Sequence, residues 1–128
     1  MVIMSEWLVC HLSAIDDYLR VSEDVRDKFW SIHPTQKVFE CIDHEEKYII
    51  IKYGENTFKC ENIFFKCVSE PIYKIGDKVQ INYSEEIGEV REIYWHGNRK
   101  APYYLLTVNN KKKSRRFFDD ELHLIQIE

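Results

Sequence analysis

From Gln36 onward, hydrophobic and polar residues alternate along the chain with a period of two. The segments "KVFECI", "KYIIIKY", "TFKCENIFFKCV", "DKVQINY", "IGEVREIYW", "YYLLTV" and "SRRFF" are separated by the polar stretches "DHEE", "GEN", "SEE", "HGNRKAP" and "NNKKK". A period of two sends successive side chains to opposite faces of an extended strand. Val, Ile, Tyr, Phe and Thr dominate these segments and fit a pleated, half-buried surface. Evenly spaced short strands of this kind predict a small barrel or a strongly twisted sheet. There is neither a glycine-rich phosphate loop nor β-α-β alternation, which argues against the nucleotide-binding α/β folds.

Before Gln36 the rhythm differs. "EWLVCHL" is apolar on both alternating sets and reads as a strand or a buried extended run, while "SAIDDYLRVSEDVRDKFWSI" carries helix signals. Ser13 with Asp16 three residues on resembles a capping box, and Ser22 followed by Glu23 and Asp24 offers a second start. Val25, Phe29 and Trp30 then form an apolar stripe with Asp24, Asp27 and Lys28 outside it, and Pro34 ends the zone. The expected fold class is therefore α+β. Residues 1–71 would form an N-terminal strand-helix unit packed on β structure with a hairpin, and residues 72–128 a small β-barrel, either as separate bodies or around a shared core. At the junction, Pro71 biases Glu70 to an extended conformation, and Ile75-Gly76-Asp77 is a turn leading into the next strand.

An internal echo points to two related β units. Setting Gly54 against Asn110 places "YIIIKYGENT" beside "YLLTVNNKKK", and "FKCENIFFKC" is similar to "FFDDELHLIQ" with a shift of two or three positions. Both read as strand, tight turn, strand, polar turn and short final strand.

The C-terminal motifs carry a resemblance as well. "YKIGDKVQINYSEEIGEVREIYW", then "YYLLTV", then "RRFFDDELHLI" resembles Src-homology-3-like barrels of the KOW, Tudor and related types. In these a hydrophobic-Gly-Asp-x-Val opening leads to Gly-x-Val-x-x-Ile and on to a closing segment with Phe, Glu and Leu. The resemblance covers residues 72–126 and implies binding rather than catalysis, with nucleic acid, peptides or modified side chains as ligands in different branches. A methyl-lysine cage needs converging aromatics. Tyr94, Trp95, Tyr103 and Tyr104 are the candidates, although strand alternation lets only about half of them share a pocket.

Composition and charge narrow the classes. At 128 residues, 45% hydrophobic and 14% aromatic, the chain is long and apolar enough for one ordinary domain or two very small ones, without disulfide staples. No stretch reaches the ~20 apolar residues of a membrane span, and the N-terminus lacks a basic leader, so a cytoplasmic location without membrane association is expected. Cys10, Cys41, Cys60 and Cys67 are then reduced thiols, mostly buried. The net charge of -4 is unevenly spread: residues 1–71 hold 13 acids and 8 bases, a net of -5, whereas residues 93–118 hold seven bases and no acid.

Catalytic and metal chemistry find little support in the spacing. Cys60 and Cys67 are too far apart for paired zinc ligands, Cys41 with His44 is the only other close combination, and no metal or cofactor is expected. Cys10 and His11 point to opposite faces if their strand is real. His33, His44, His96 and His123 read as exposed or hydrogen-bonded structural residues. The acidic pairs Asp16-Asp17, Glu45-Glu46, Glu85-Glu86 and Asp119-Asp120-Glu121 fall where turns and helix starts place them.

The expected role is a non-enzymatic protein-protein binding module. In size and acidity the chain is similar in character to bacterial immunity proteins, which implies a basic toxin as partner. The acidic face proposed for that contact comprises Asp16, Asp17, Glu23, Asp24 and Asp27, with Tyr18 and Trp30 as aromatic anchors. The alternative is a nucleic-acid-binding barrel using Trp95, Arg99, Lys100, Tyr103, Lys111, Lys112, Lys113, Arg115 and Arg116. Bases interleaved with aromatics suit single strands, cations meeting phosphate and rings stacking on bases. The bland reading of "NNKKKSRR" is a hairpin turn with an exposed basic edge that blocks sheet aggregation, the phenylalanines returning to the core.

Overall fold

The alternating segments fold as strands because each has one apolar face to bury. The computed structural model describes residues 6–10, 26–61 and 65–125, and the chain divides into two units, Met1–Glu70 and Pro71–Glu128. In the first, β1 (Glu6–Cys10) is followed by a short helix α1 (Arg26–Ser31), then β2 (Val38–His44), β3 (Tyr48–Tyr53), β4 (Asn56–Glu61) and β5 (Phe65–Val68). These strands form one antiparallel sheet in the order β4-β3-β2-β1-β5. Alternation on β3 drives Ile49, Ile51 and Tyr53 inward, where they join Val9, Phe39 and Phe58.

The second unit contains β6 (Lys78–Ile81), β7 (Ile87–His96), β8 (Ala101–Val108), β9 (Lys111–Lys112), β10 (Phe117–Phe118) and β11 (Leu122–Leu124), with a single 3-10 turn at Asp119–Glu121. Its order is β10-β8-β7-β6-β11, β9 also pairing with β8. Val79, Ile81, Val90, Ile93, Tyr104, Leu106, Val108, Phe117 and Leu122 are its buried core.

Both sheets follow one plan. The first strand lies inside the sheet, the second pairs with it and the third with the second, a further strand pairs with the third, and the last returns to the free side of the first. The two echoing sequence segments take equivalent places in this plan. Gly54 at φ 61° begins the turn between β3 and β4, and Asn109 and Asn110 at φ 52° and 64° form the turn between β8 and β9. Positive φ at both central positions is the two-residue hairpin geometry that asparagine tolerates.

An α+β class is not what forms. Strand accounts for 57% of the structure and helix for 8%, so the architecture is two antiparallel β sheets. Of the expected helical zone, the described residues contain α1, whose six residues lie in the connection between β1 and β2. Among its described side chains, α1 buries one against the sheet. Phe29 is fully buried, its ring 5.0 Å from Phe58 and 5.8 Å from Phe39, while Trp30, expected to share the apolar stripe, is 39% exposed. The helix is a plug on a β unit, not half of a layered domain. Just after it, Lys37 is buried, its ammonium donating to the Ile32 carbonyl and lying 5.1 Å over the Tyr53 ring.

Candidate functional site

Strand alternation on β8 divides its aromatics between two faces. Tyr104 enters the core and Tyr103 faces outward, half-buried. Its cross-strand partners are Tyr94 on β7 and Phe118 on β10, so the three rings form a row across the sheet. Tyr94 and Tyr103 stack with ring centres 5.3 Å apart and planes 12° apart, and Phe118 follows at 6.1 Å from Tyr103. His96 sits edge-on to both Tyr103 and Phe118, at 6.4 and 5.7 Å.

Tyr94 reaches this face through an irregularity. The β7–β8 register shifts between Val90 and Glu92, and such a bulge turns the strand so that later residues exchange faces. Val90 and Ile93, three apart, both enter the core, and Tyr94 and His96 turn outward.

Two guanidinium groups lie on this row. The Arg99 guanidinium carbon is 3.6 Å from the centre of the Phe118 ring, and that of Arg116 is 4.8 Å from the Tyr103 ring. Arg99 is held by its backbone N–H donating to His96 Nδ1 at 3.1 Å. A guanidinium lying against a ring keeps N–H groups free at its edge for a carboxylate or phosphate. Tyr94 donates its hydroxyl to Glu92 Oε1 at 3.2 Å, and burial together with the Glu92 charge pushes its pKa up to about 12. The row therefore presents a neutral Tyr94 phenol at neutral pH beside two guanidinium charges.

The remaining predicted residues do not join this face as a group. Trp95 alternates away from Tyr94 and pairs with Pro102, on the opposite side of the sheet from Tyr103. Lys111 and Lys112 form the short β9, exposed, and Lys113 is tied to Leu106 O through its N–H and to Arg91 through its carbonyl, at 2.9 and 2.7 Å. The strand then ends, so no continuous return strand runs from Lys111 to Arg116. Arg115 turns to Glu121 at 3.0 Å and to the rings of Tyr83 and Phe117 at 4.7 and 5.1 Å. Lys100 is exposed at φ 52° in the β7–β8 turn. Of the nucleic-acid set, only Arg99, Tyr103 and Arg116 converge. His96 and Phe118 complete the cluster, though spacing alone did not single them out.

Of the acidic set, Asp16, Asp17, Tyr18, Glu23 and Asp24 lie outside the described residues, whereas Asp27 is exposed and Trp30 partly so on α1. Asp119 and Glu121 in the second unit have structural work. Asp119 Oδ1 accepts the Tyr104 hydroxyl at 2.7 Å, and Glu121 Oε1 accepts the Phe118 N–H at 3.0 Å. Tyr73 donates to Leu122 O at 2.7 Å, and His123 is bracketed by Asn82 Oδ1 at 2.5 Å and Gln80 Oε1 at 3.0 Å. The four cysteines are free thiols; Cys10, Cys41 and Cys60 are buried and Cys67 is exposed. No helix among the described residues is long and apolar enough to cross a membrane. The family described as "Family of unknown function (DUF6960)" matches residues 5–123. No curated protein matches the chain.

Proposed function

We propose that this chain, which belongs to the DUF6960 family, is a non-enzymatic protein-recognition module whose C-terminal unit offers the Tyr94–Tyr103–Phe118 row to an acidic segment of a partner. The observation that carries this reading is the occupation of the ring faces. Tyr94 stacks on Tyr103, Arg116 lies over Tyr103 and Arg99 over Phe118. Bases of a single strand would have to displace these groups before stacking, whereas a carboxylate can reach the guanidinium edges directly. Tyrosine and arginine held in place are also the side chains that dominate protein interfaces.

An inhibitory role against a basic toxin, in the manner of bacterial immunity proteins, draws its support from charge. Residues 1–70 hold 13 acids and 8 bases, a net of -5. Nucleic-acid binding is the second reading, supported by exposed Lys111 and Lys112 in the same unit as the aromatic row. Titration of the whole chain with glutamate-rich peptides and with single-stranded oligonucleotides, each at two salt concentrations, separates the two. Peptide binding lost in the Arg99→Ala/Arg116→Ala double variant supports protein recognition. Tight oligonucleotide binding with a steep salt slope, lost instead when Lys111, Lys112 and Lys113 become alanine, would replace it with the second reading.

A further inference from the structure

Cys41 and His44 are three positions apart, and in a regular strand their side chains would leave opposite faces. The β2–β3 register shifts between Cys41 and Asp43, and this bulge turns both onto one face. The fold then adds a donor from far away in sequence. Glu6 lies directly opposite Cys41 in the β1–β2 ladder, and residues directly opposite in a ladder project to the same side. Cys41 Sγ lies 3.5 Å from His44 Nε2, and Glu6 Oε2 lies 3.2 Å from the same nitrogen. All three donor atoms fall within 4.8 Å of one another, and among the described residues this is the one such group of His, Cys and carboxylate donors.

We infer that Glu6, Cys41 and His44 form a binding site for a divalent transition metal ion of the zinc class. A tetrahedral ion with bonds of ~2.3 Å to sulfur and ~2.0 Å to nitrogen and oxygen holds its sulfur and nitrogen donors about 3.5 Å apart and its nitrogen and oxygen donors about 3.3 Å apart. The two measured separations match those edges. His44 Nε2 meets both groups: protonated, it pairs with the Glu6 carboxylate, and as a lone pair it is free to bind a metal ion that the carboxylate and sulfur also reach. Mixed sulfur, nitrogen and oxygen donors suit zinc and its neighbours, whereas calcium and magnesium require oxygen shells.

The bulge residue orders the backbone here: Asp43 Oδ1 accepts the backbone N–H of His44 at 2.9 Å, and the Cys41 thiol donates to the Asp43 carbonyl at 3.5 Å, a hydrogen bond that the thiol gives up when it ionises to bind a metal. Cys41 forms a buried floor, and the His44 and Glu6 side chains, 58% and 48% exposed, form a rim open to solvent. Three protein donors leave a fourth tetrahedral position for water or an exogenous ligand. The site belongs to the N-terminal unit and uses no residue of the aromatic row, so it stands or falls separately from the recognition proposal.

Untagged whole protein, stripped with chelator and titrated with Co2+, tests the inference. One equivalent should produce a thiolate-to-cobalt charge-transfer band in the near ultraviolet with intense visible bands of a four-coordinate ion, and Zn2+ should displace it. His44→Ala, at an exposed position, and Cys41→Ser should each weaken binding by more than the roughly 10–100-fold that loss of a supporting outer partner costs, and Cys41→Ser should abolish the charge-transfer band. His33→Asn, at another exposed histidine in the same unit, should bind as wild type. Failure of the wild-type protein to develop the charge-transfer band, or equal Co2+ affinity in the His44→Ala variant, would overturn the proposal.

Discussion

Tyr104 shows how one side chain joins core and surface. Its ring is fully buried and edge-on to Tyr73 at 5.2 Å, while its hydroxyl reaches Asp119 in the 3-10 turn between β10 and β11. Tyr104→Phe leaves the ring packed and removes one hydrogen bond to a carboxylate, which should lower unfolding free energy by about 1.5–3 kcal/mol, measured by urea denaturation at neutral pH. Titration carries a sign as well. Burial raises the Cys60 thiol above 9.0 and the Tyr73, Tyr94 and Tyr104 phenols above 10.0, with Tyr94 at about 12. The folded chain therefore keeps protons that the unfolded chain releases, and this stabilisation is complete below about pH 9 and lost as pH rises through the folded values. The thermal midpoint should decline from about pH 9 upward; a midpoint that rose between pH 9 and 11 would contradict these assignments. At this scale the sequence was only half legible. "RRFF" reads as two phenylalanines returning to the core, yet only Phe117 is buried while Phe118 turns outward, and no local signal announces that Arg99 lies over Phe118.

At the scale of elements, period-two alternation marks the strands well and says nothing of their bulges. "GEVREI" breaks alternation at Arg91-Glu92, where the register shift at Val90/Glu92 decides that Tyr94 faces outward, and the shift at Cys41/Asp43 brings His44 beside Cys41. A bulge depends on what the neighbouring strand offers, so a pattern read along one strand shows at most a break in the period. Val90-x-x-Ile93 is its trace, two core residues three apart. Gly88 marks a close approach on the same strand, since an added Cβ would lie 3.0 Å from Val108 Cγ2 and 3.2 Å from Thr107 O. Gly88→Ala should cost about 1–3 kcal/mol, seen as a lower denaturant midpoint with unchanged slope. Asn110, at φ 64°, sets the β8–β9 turn. Asn110→Val should destabilise by about 1–2 kcal/mol and Asn110→Gly should not, so equal losses in the two variants would refute the turn argument. The α+β expectation fails for a different reason: helical period and capping residues describe local preference, and the sheets claim most of the described residues. Phe29 is what the short helix retains, and Phe29→Ala should lower stability by about 3–5 kcal/mol, read from thermal unfolding.

For the whole molecule, charge is divided as the sequence announces. Residues 1–70 carry a net of -5, while residues 71–128 hold 10 bases and 9 acids, a net of +1. Association with an acidic partner through Arg99 and Arg116 should therefore slow as salt rises, chiefly in the on-rate. The Arg99→Ala/Arg116→Ala variant should lose about 2 kcal/mol or more of that affinity while its thermal midpoint stays close to wild type; a large stability loss would reassign both residues to folding. The common strand plan has a consequence for biosynthesis. In each sheet the strand made first acquires its second neighbour from the strand made last: β1 from β5, and β6 from β11. While the ribosome is still extending the chain, β6 exposes an unsatisfied edge until Leu122–Leu124 emerge, and for that interval it is a template for pairing with another nascent chain. Its final partner is three residues long and ends at Leu124. A stop codon placed before Leu122 should thus yield insoluble protein, even though every residue of the aromatic row would already have been made.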